Sequence, residues 1–225
     1  MNSRLRIITS ALIAPLPWFL KRPLLQSLLG YRLHPTSHIG LSLIAAEQVE
    51  LGACARIGHL NVVRGLRRLE LGPHAIIAQL NWITGFPTGP SRHFVHQPER
   101  QPELRLAEHS ALTSRHLLDC TNRISIGRFT TFAGFRSQIL THSIDLVAGR
   151  QTSAPVEIGA YCFVSSACVL LPGAKLPDYC VLAAGAVLPR PVTETHTLYA
   201  GVPARAVKQL PTDWKYFTRA QGFVE

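Results

Sequence analysis

A mainly β chain, built as a stack of three-sided coils of short strands, is what this 225-residue sequence predicts. Three observations predict it. Ile158, Val164, Leu170, Leu176, Leu182 and Leu188 are aliphatic at intervals of six. The fourth residue after each of the first five is small: Cys162, Cys168, Ala174, Cys180 and Ala186. The composition, 47% hydrophobic and 16% charged, is that of a packed domain. A helix repeats at about 3.6 residues and a strand at about two. Six residues make one short strand plus a corner. Three such sides close a triangle with the aliphatic residue inside. The small residue also turns inward, near the corner, where a large side chain would not fit. Stacking the coils in parallel then buries one continuous core.

Residues 1–38 are expected to form an N-terminal helical cap. The apolar run from Ile7 to Leu20 is flanked by Arg4, Arg6, Lys21 and Arg22. It is too short to span a bilayer, and Pro15 and Pro17 break it. It has the basic start and short apolar stretch of a signal peptide, but a poor cleavage site. The expectation is a cap packed on the body of the protein. Residues 4–22 are in addition a candidate peripheral membrane contact. A second helical piece, PLLQSLLG, should end at Gly30.

Residues 39–197 carry the coil. Ile39, Ala45, Leu51, Ile57, Val63 and Leu69 form one run, with Gly40, Gly52 and Gly58 each following an aliphatic residue. Leu71-Gly72 and Ile77 restart the frame with a two-residue shift. Leu106, Leu112 and Leu118 continue it, and Ile126-Gly127 and Phe132 shift it again. Such shifts are expected at a local bulge or loop. The segment 85–104, GFPTGPSRHFVHQPERQPEL, has no such pattern and is expected to leave the coil as an extended arm. The remainder supplies about seven coils of about eighteen residues. Residues 198–225 are expected to form a C-terminal tail with a short helix.

The formal net charge is +10 with a pI near 10.0. Low charge density excludes a disordered polycation. The excess points to anionic partners: nucleic acid, a membrane face or a phosphorylated small molecule. Nucleic acid is set aside, because there is no basic run, recognition-helix motif or stacked-aromatic pattern. Five cysteines without a CxxC pair suggest neither a disulfide framework nor a zinc ribbon, and a reducing, cytoplasmic setting fits. Cys162, Cys168 and Cys180 read as small apolar fillers of the repeat.

Residues 126–208 carry a resemblance. "IGAYCFVSSACVLLPGAKLPDYCVLAAGAVLPRPV", from Ile158, and "YAGVPARAVK" resemble the C-terminal half of the hexapeptide-repeat acyltransferases, in their sugar and polysaccharide O-acetyltransferase branch. That resemblance implies a left-handed parallel β-helix, a hand opposite to the usual crossover rule. It also implies acetyl-coenzyme A as donor, a sugar or glycan hydroxyl as acceptor, no metal, and a homotrimer with sites between subunits. It is compatible with a place in the cytoplasm at the inner face of the membrane.

Acyl transfer to an alcohol needs a base that removes the hydroxyl proton, and His suits it. Of ten histidines, His142 stands where the hexad stops, in "ILTHSIDLVAGRQTSAPVEIG". It matches the place of the resembled family's general base. Asp119 and Asn122 in the preceding coil, and Asp145 nearby, are the candidates for orienting it. His116 is close to Asp119 and reads as a solvated corner residue. The resemblance puts the pantetheine arm of coenzyme A along Ser166, Ala184 and Gly185, and the nucleotide end near Arg205 and Lys208. Those two basic residues share a face if their segment is helical. Many relatives have Gly where this chain has Ser165 and Ala183. Trp82, Phe94 and Trp214 could stack on a sugar but are equally explained by packing. Two other readings stand beside this one. One is a zinc-dependent hydrase of the β-helix carbonic-anhydrase type, to which His116 and His142 could contribute ligands. The other is a non-catalytic β-helix scaffold.

Overall fold

The computed structural model describes residues 2–89, 93–222 and 224; residues 90–92 of the unpatterned segment lie outside them. Two helices open the chain: α1, Ser3–Ile13, and α2, Trp18–Leu29. The break falls at the two prolines. The Asn2 side chain caps α1, and Gly30, in the left-handed conformation, ends α2. Ser10 Oγ donates to the Ile44 carbonyl (2.7 Å) and accepts from its N–H (3.0 Å). Lys21 Nζ donates to the Gly40 carbonyl (2.9 Å). These contacts lay the cap over the start of the coil.

Among the described residues the coil has three faces, of seven, nine and seven strands, all parallel except the last strand of the second face, Arg205–Gln209, which is antiparallel. The first face runs from Arg32–Leu33 to Lys175–Leu176, the second from His38–Ile39 through Val181–Leu182, and the third from Leu43–Ala45 to Val187–Leu188. Seven complete turns are present among the described residues. Every aliphatic residue of the predicted frame is buried, and so are Cys162, Cys168, Ala174, Cys180 and Ala186. Burial pushes the Cys162 and Cys168 thiols up, and Cys180 up to about 11, which leaves them inert fillers.

The two-residue shifts are not bulges. Arg32 pairs with Glu50 and Val169 with Val187, eighteen residues on, whereas Arg56 pairs with Ile76, twenty on. The longer turns carry four-residue strands on the first face, such as Gln48–Leu51 and Arg68–Leu71, with two buried residues each. Adding two residues keeps the inward–outward alternation, so the core frame survives. The glycines after the aliphatic residues let neighbouring turns touch. A Cβ on Gly127 would lie 2.4 Å from the Gly159 carbonyl carbon, and one on Gly58 would lie 2.2 Å from the Ala78 oxygen.

Corners between the first and second faces take the left-handed backbone, and there rings stack. His74, His109, Phe129, Tyr161, Tyr179 and His196 form a continuous column, with centroids 4.5–5.3 Å apart. Sequence reading found no stacked-aromatic pattern, because these rings are spaced by whole turns of unequal length. The C-terminal tail covers the column. Phe217, in α3 (Lys215–Thr218), meets Tyr179 and His196 edge-on. Arg219 donates to the Phe129 carbonyl, and the Gly222 N–H donates to His109 Nδ1.

Corners between the second and third faces show a different column. Leu41, Leu60 and Leu80 are exposed one above another, beside Trp82 and Leu117, which pair directly across adjacent strands. This is an apolar strip on the outside of the coil.

Candidate functional site

The strand Gln138–Leu140 ends the third face of its turn, and the chain then leaves the coil. It forms an antiparallel hairpin, His142–Asp145 with Arg150–Ser153, before returning at Val156. His142 thus stands at the root of a projecting hairpin. Asp119 ends the neighbouring strand Leu117–Asp119, whose register sets it opposite Leu140. That register brings the two side chains together: His142 Nδ1 lies 2.6 Å from Asp119 Oδ2.

The carboxylate is held from all sides. Oδ2 also accepts from the backbone N–H of Thr141 (2.9 Å) and of His142 (3.0 Å). Oδ1 accepts from the Thr121 N–H (3.1 Å) and hydroxyl (2.5 Å). A carboxylate only accepts, so the His142 Nδ1 carries the proton and donates it. Nε2 is then left with its lone pair on a side chain 42% exposed. This is the arrangement a general base needs: fixed tautomer, fixed ring, open acceptor.

The other two orienting candidates have other tasks. Asp145 Oδ1 accepts from the N–H groups of Val147 and Ala148 and closes the hairpin turn. Asn122 donates to Ser153 Oγ (3.1 Å) and accepts from the Arg123 N–H. His116 is not a solvated corner residue; it is 2% exposed. Its Nδ1 accepts from the Ser137 N–H (3.2 Å) and its Nε2 meets Thr113 Oγ1 (2.9 Å). Burial holds it down at about 4, well below an ordinary histidine. Both nitrogens are spent inside the coil, so it cannot join His142 on a metal. Among the described residues no three His, Cys, Asp or Glu side chains converge to hold one.

The unpatterned segment does not extend as an arm. It folds back over the site. Gln97 Oε1 accepts from the Ser153 N–H and hydroxyl, and its Nε2 donates to the Ser153 carbonyl. Buried Arg100 donates to the carbonyls of Phe86 and Thr121 (2.5 Å each) and of Pro87 (3.0 Å). Its guanidinium lies 4.4 Å from the centroid of Phe94, whose ring stands edge-on to His142 at 6.2 Å. Phe94 is therefore a buried wall of the site. Trp82 is exposed on the third face, and Trp214 stacks on Phe217.

No family model and no curated protein matches this chain. Among solved structures it is similar to a hexapeptide-repeat-containing acetyltransferase from Vibrio cholerae O1 biovar eltor complexed with acetyl coenzyme A. The two share 15% identity over 92% of this chain and 88% of that chain, with a TM-score of 0.48. It is also similar to the polysialic acid O-acetyltransferase OatWY, at 16% identity over 80% and 84%, TM-score 0.49. A third is a variant of AntD, an N-acyltransferase from Bacillus cereus in complex with dTDP and coenzyme A, at 12% identity over 81% and 82%, TM-score 0.45. These are distant likenesses, and the chemistry of the site has to be read from its own residues.

Ser166, Ala184 and Gly185 do not join His142. They sit at the corner that leads into the third face, where the Gly185 N–H donates to the Ser166 carbonyl (3.0 Å). His142 lies past the other end of that face, so a strand of about three residues, roughly 10 Å, separates them. Ala184 and Gly185 are exposed, and the backbone there is open to close approach. Arg205 and Lys208 are on a strand, Arg205–Gln209, not a helix. A strand would put residues three apart on opposite faces. An irregularity between the partners Leu198 and Tyr199 corrects this: Arg205 opposes Ala200 and Lys208 opposes Leu198, two residues apart, so both share one face.

Thr121, Thr141, Gln97 and Arg100 escaped the sequence reading. A signal existed for Thr121, since Asp-x-Thr is a pattern in which the carboxylate turns back onto the chain two residues on. Gln97 and Arg100 gave none, because their partners are backbone carbonyls and a distant serine.

Proposed function

We propose that this chain is an acetyl-coenzyme A-dependent O-acetyltransferase acting on a sugar or glycan hydroxyl, with His142 as general base and Asp119 as its orienting partner. The observation that carries the reading is the His142–Asp119 pair at 2.6 Å with Nε2 left open. The acceptor hydroxyl gives its proton to Nε2 as its oxygen attacks the thioester carbonyl. The tetrahedral intermediate collapses by breaking the carbon–sulfur bond. The departing thiolate takes the proton back from the imidazolium, leaving an acetyl ester and free coenzyme A. Asp119 stabilises the imidazolium between those events. The donor lies along the Ser166, Ala184 and Gly185 corner, with Arg205 and Lys208 toward its phosphates.

The corner and His142 of the same chain stand at opposite ends of a third-face strand, roughly 10 Å apart. Two copies bring donor and base together when the corner of one faces the hairpin root of the next, and closure of that heterologous contact makes a homotrimer. The exposed strip of Leu41, Leu60, Leu80, Trp82 and Leu117 supplies an apolar surface for that packing. The reading implies a cytoplasmic setting, where acetyl-coenzyme A is available.

The test is a panel of glycan acceptors with acetyl-coenzyme A, monitored by release of free thiol. His142→Ala should lower the rate by about 10²-fold or more. Full activity in His142→Ala refutes the mechanism, and absence of any acetyl-coenzyme A binding leaves a scaffold.

A further inference from the structure

We propose that the helical cap docks on an anionic lipid surface through Leu5, Ile8, Leu12 and Phe19. The rotation of α1 is fixed by the paired hydrogen bonds of Ser10 with Ile44 and by Arg6, which donates to the carbonyls of Leu29 and Ala46. Leu5, Ile8 and Leu12 stand at intervals of three and four, on the side away from these anchors. They are exposed, Leu12 at 71%. The rotation of α2 is fixed in turn by Lys21 on the Gly40 carbonyl. That leaves Phe19 74% exposed, with Leu20 beside it. Four large apolar side chains are thus held outward by polar anchors on the inner side, and the coil does not need them for its core.

Charge decides what covers them. Arg4, Arg6, Lys21, Arg22 and Arg32 precede Glu47, which is the first carboxylate in the chain. Arg32 pairs with Glu50. Arg6 and Arg22 donate to backbone carbonyls, and a carbonyl satisfies a guanidinium without neutralising it. Exposed Arg4 and half-buried Arg22 put positive charge beside the apolar residues, and Arg6 and Lys21 on the inner side add to the net charge of the cap. An apolar face on a net-positive cap matches acyl chains below anionic headgroups. A second copy of the same cap would bring like charges together, which disfavours self-pairing. Among the described residues no helix is long and apolar enough to cross a membrane, and the proposed contact lies along the surface.

The experiment is sedimentation of the full chain with vesicles. One set is about three parts phosphatidylcholine to one part phosphatidylglycerol, and the other is phosphatidylcholine alone. The chain should pellet with the anionic vesicles only, and raised salt should release it. Leu12→Glu combined with Phe19→Glu should lower the partition coefficient at least about tenfold. Hydrogen exchange on the unaltered chain gives an independent readout: anionic vesicles should protect residues 3–29 and leave the third-face strands unchanged. Equal binding to both vesicle types, an unaffected double variant, protection outside the cap, or lipid-free association through the cap would each overturn the proposal.

Discussion

Lowering the pH should destabilise the coil through one buried side chain. His116 accepts a backbone N–H at Nδ1, so its proton sits on Nε2, and a second proton would face the Ser137 N–H. In the fold it titrates at about 4, against an ordinary value of 6.5. Below pH 6.5 the unfolded chain takes up a proton that the folded chain refuses. Stability therefore rises with pH across this window and is lost as pH falls toward 4. From about pH 7.5 to 4.5 the window covers about two units at ~1.36 kcal/mol each, or ~2.7 kcal/mol. Asparagine is the matched replacement, because Asn61 and Asn81 hold the equivalent place in the two preceding turns and Asn81 already accepts the His116 N–H. His116→Asn should cost about 1–2 kcal/mol at pH 7.5, from lost packing of the ring on Phe132. It should also remove most of the acid sensitivity. Urea unfolding at both pH values checks this. With a slope of about 3 kcal/mol per molar, the native midpoint should fall by about 0.9 M more than the variant's. Parallel losses in the two proteins would refute the assignment of His116 as a neutral structural residue.

Other outcomes follow from the same geometry. Asp119→Asn should keep the fold but lower the acetyl-transfer rate by about 10- to 100-fold, since a neutral amide cannot stabilise the imidazolium; thiol release checks it. Gly127→Ala should cost more than about 3 kcal/mol, because its Cβ meets the Gly159 backbone at 2.4 Å, and thermal unfolding measures the loss. Leu60→Arg, on the exposed apolar strip, should yield a monomer by light scattering and lose activity while the isolated coil melts normally.

The coil was legible because its inward positions obey one rule. Each of Ile158 to Leu188 at six-residue spacing must be aliphatic, and each small partner must fit a corner. That rule is local, and the insertion of residue pairs on the first face does not disturb it. Of the candidate site, His142 was singled out because it stands where the hexad stops, at the place of the resembled family's base, while the choice of its partner among Asp119, Asn122 and Asp145 needed the register that sets Asp119 opposite Leu140. The folded-back segment was not legible. It is held by Arg100 and Gln97 on backbone groups, and a backbone carbonyl leaves no mark on the residue type that owns it. The terminal strand misled for a related reason, because a spacing of three suits a helix face and a bulged strand equally.

A parallel coil has open ends, and an open end of strands is a template on which further chains can add without limit. The helical cap closes one end here. At the other, Arg205–Gln209 runs antiparallel and lies at the margin of the second face with all five residues exposed. Its reversal spoils the parallel register that a new turn would need. Pro203 just before it removes a donor, and Arg205 and Lys208 place charge along the rim. Arg205 and Lys208, which the proposed function turns toward the donor's phosphates, thus also place charge where it opposes fibril growth. Exchanging them for neutral β-formers would trade a particle of fixed length for one able to polymerise end to end.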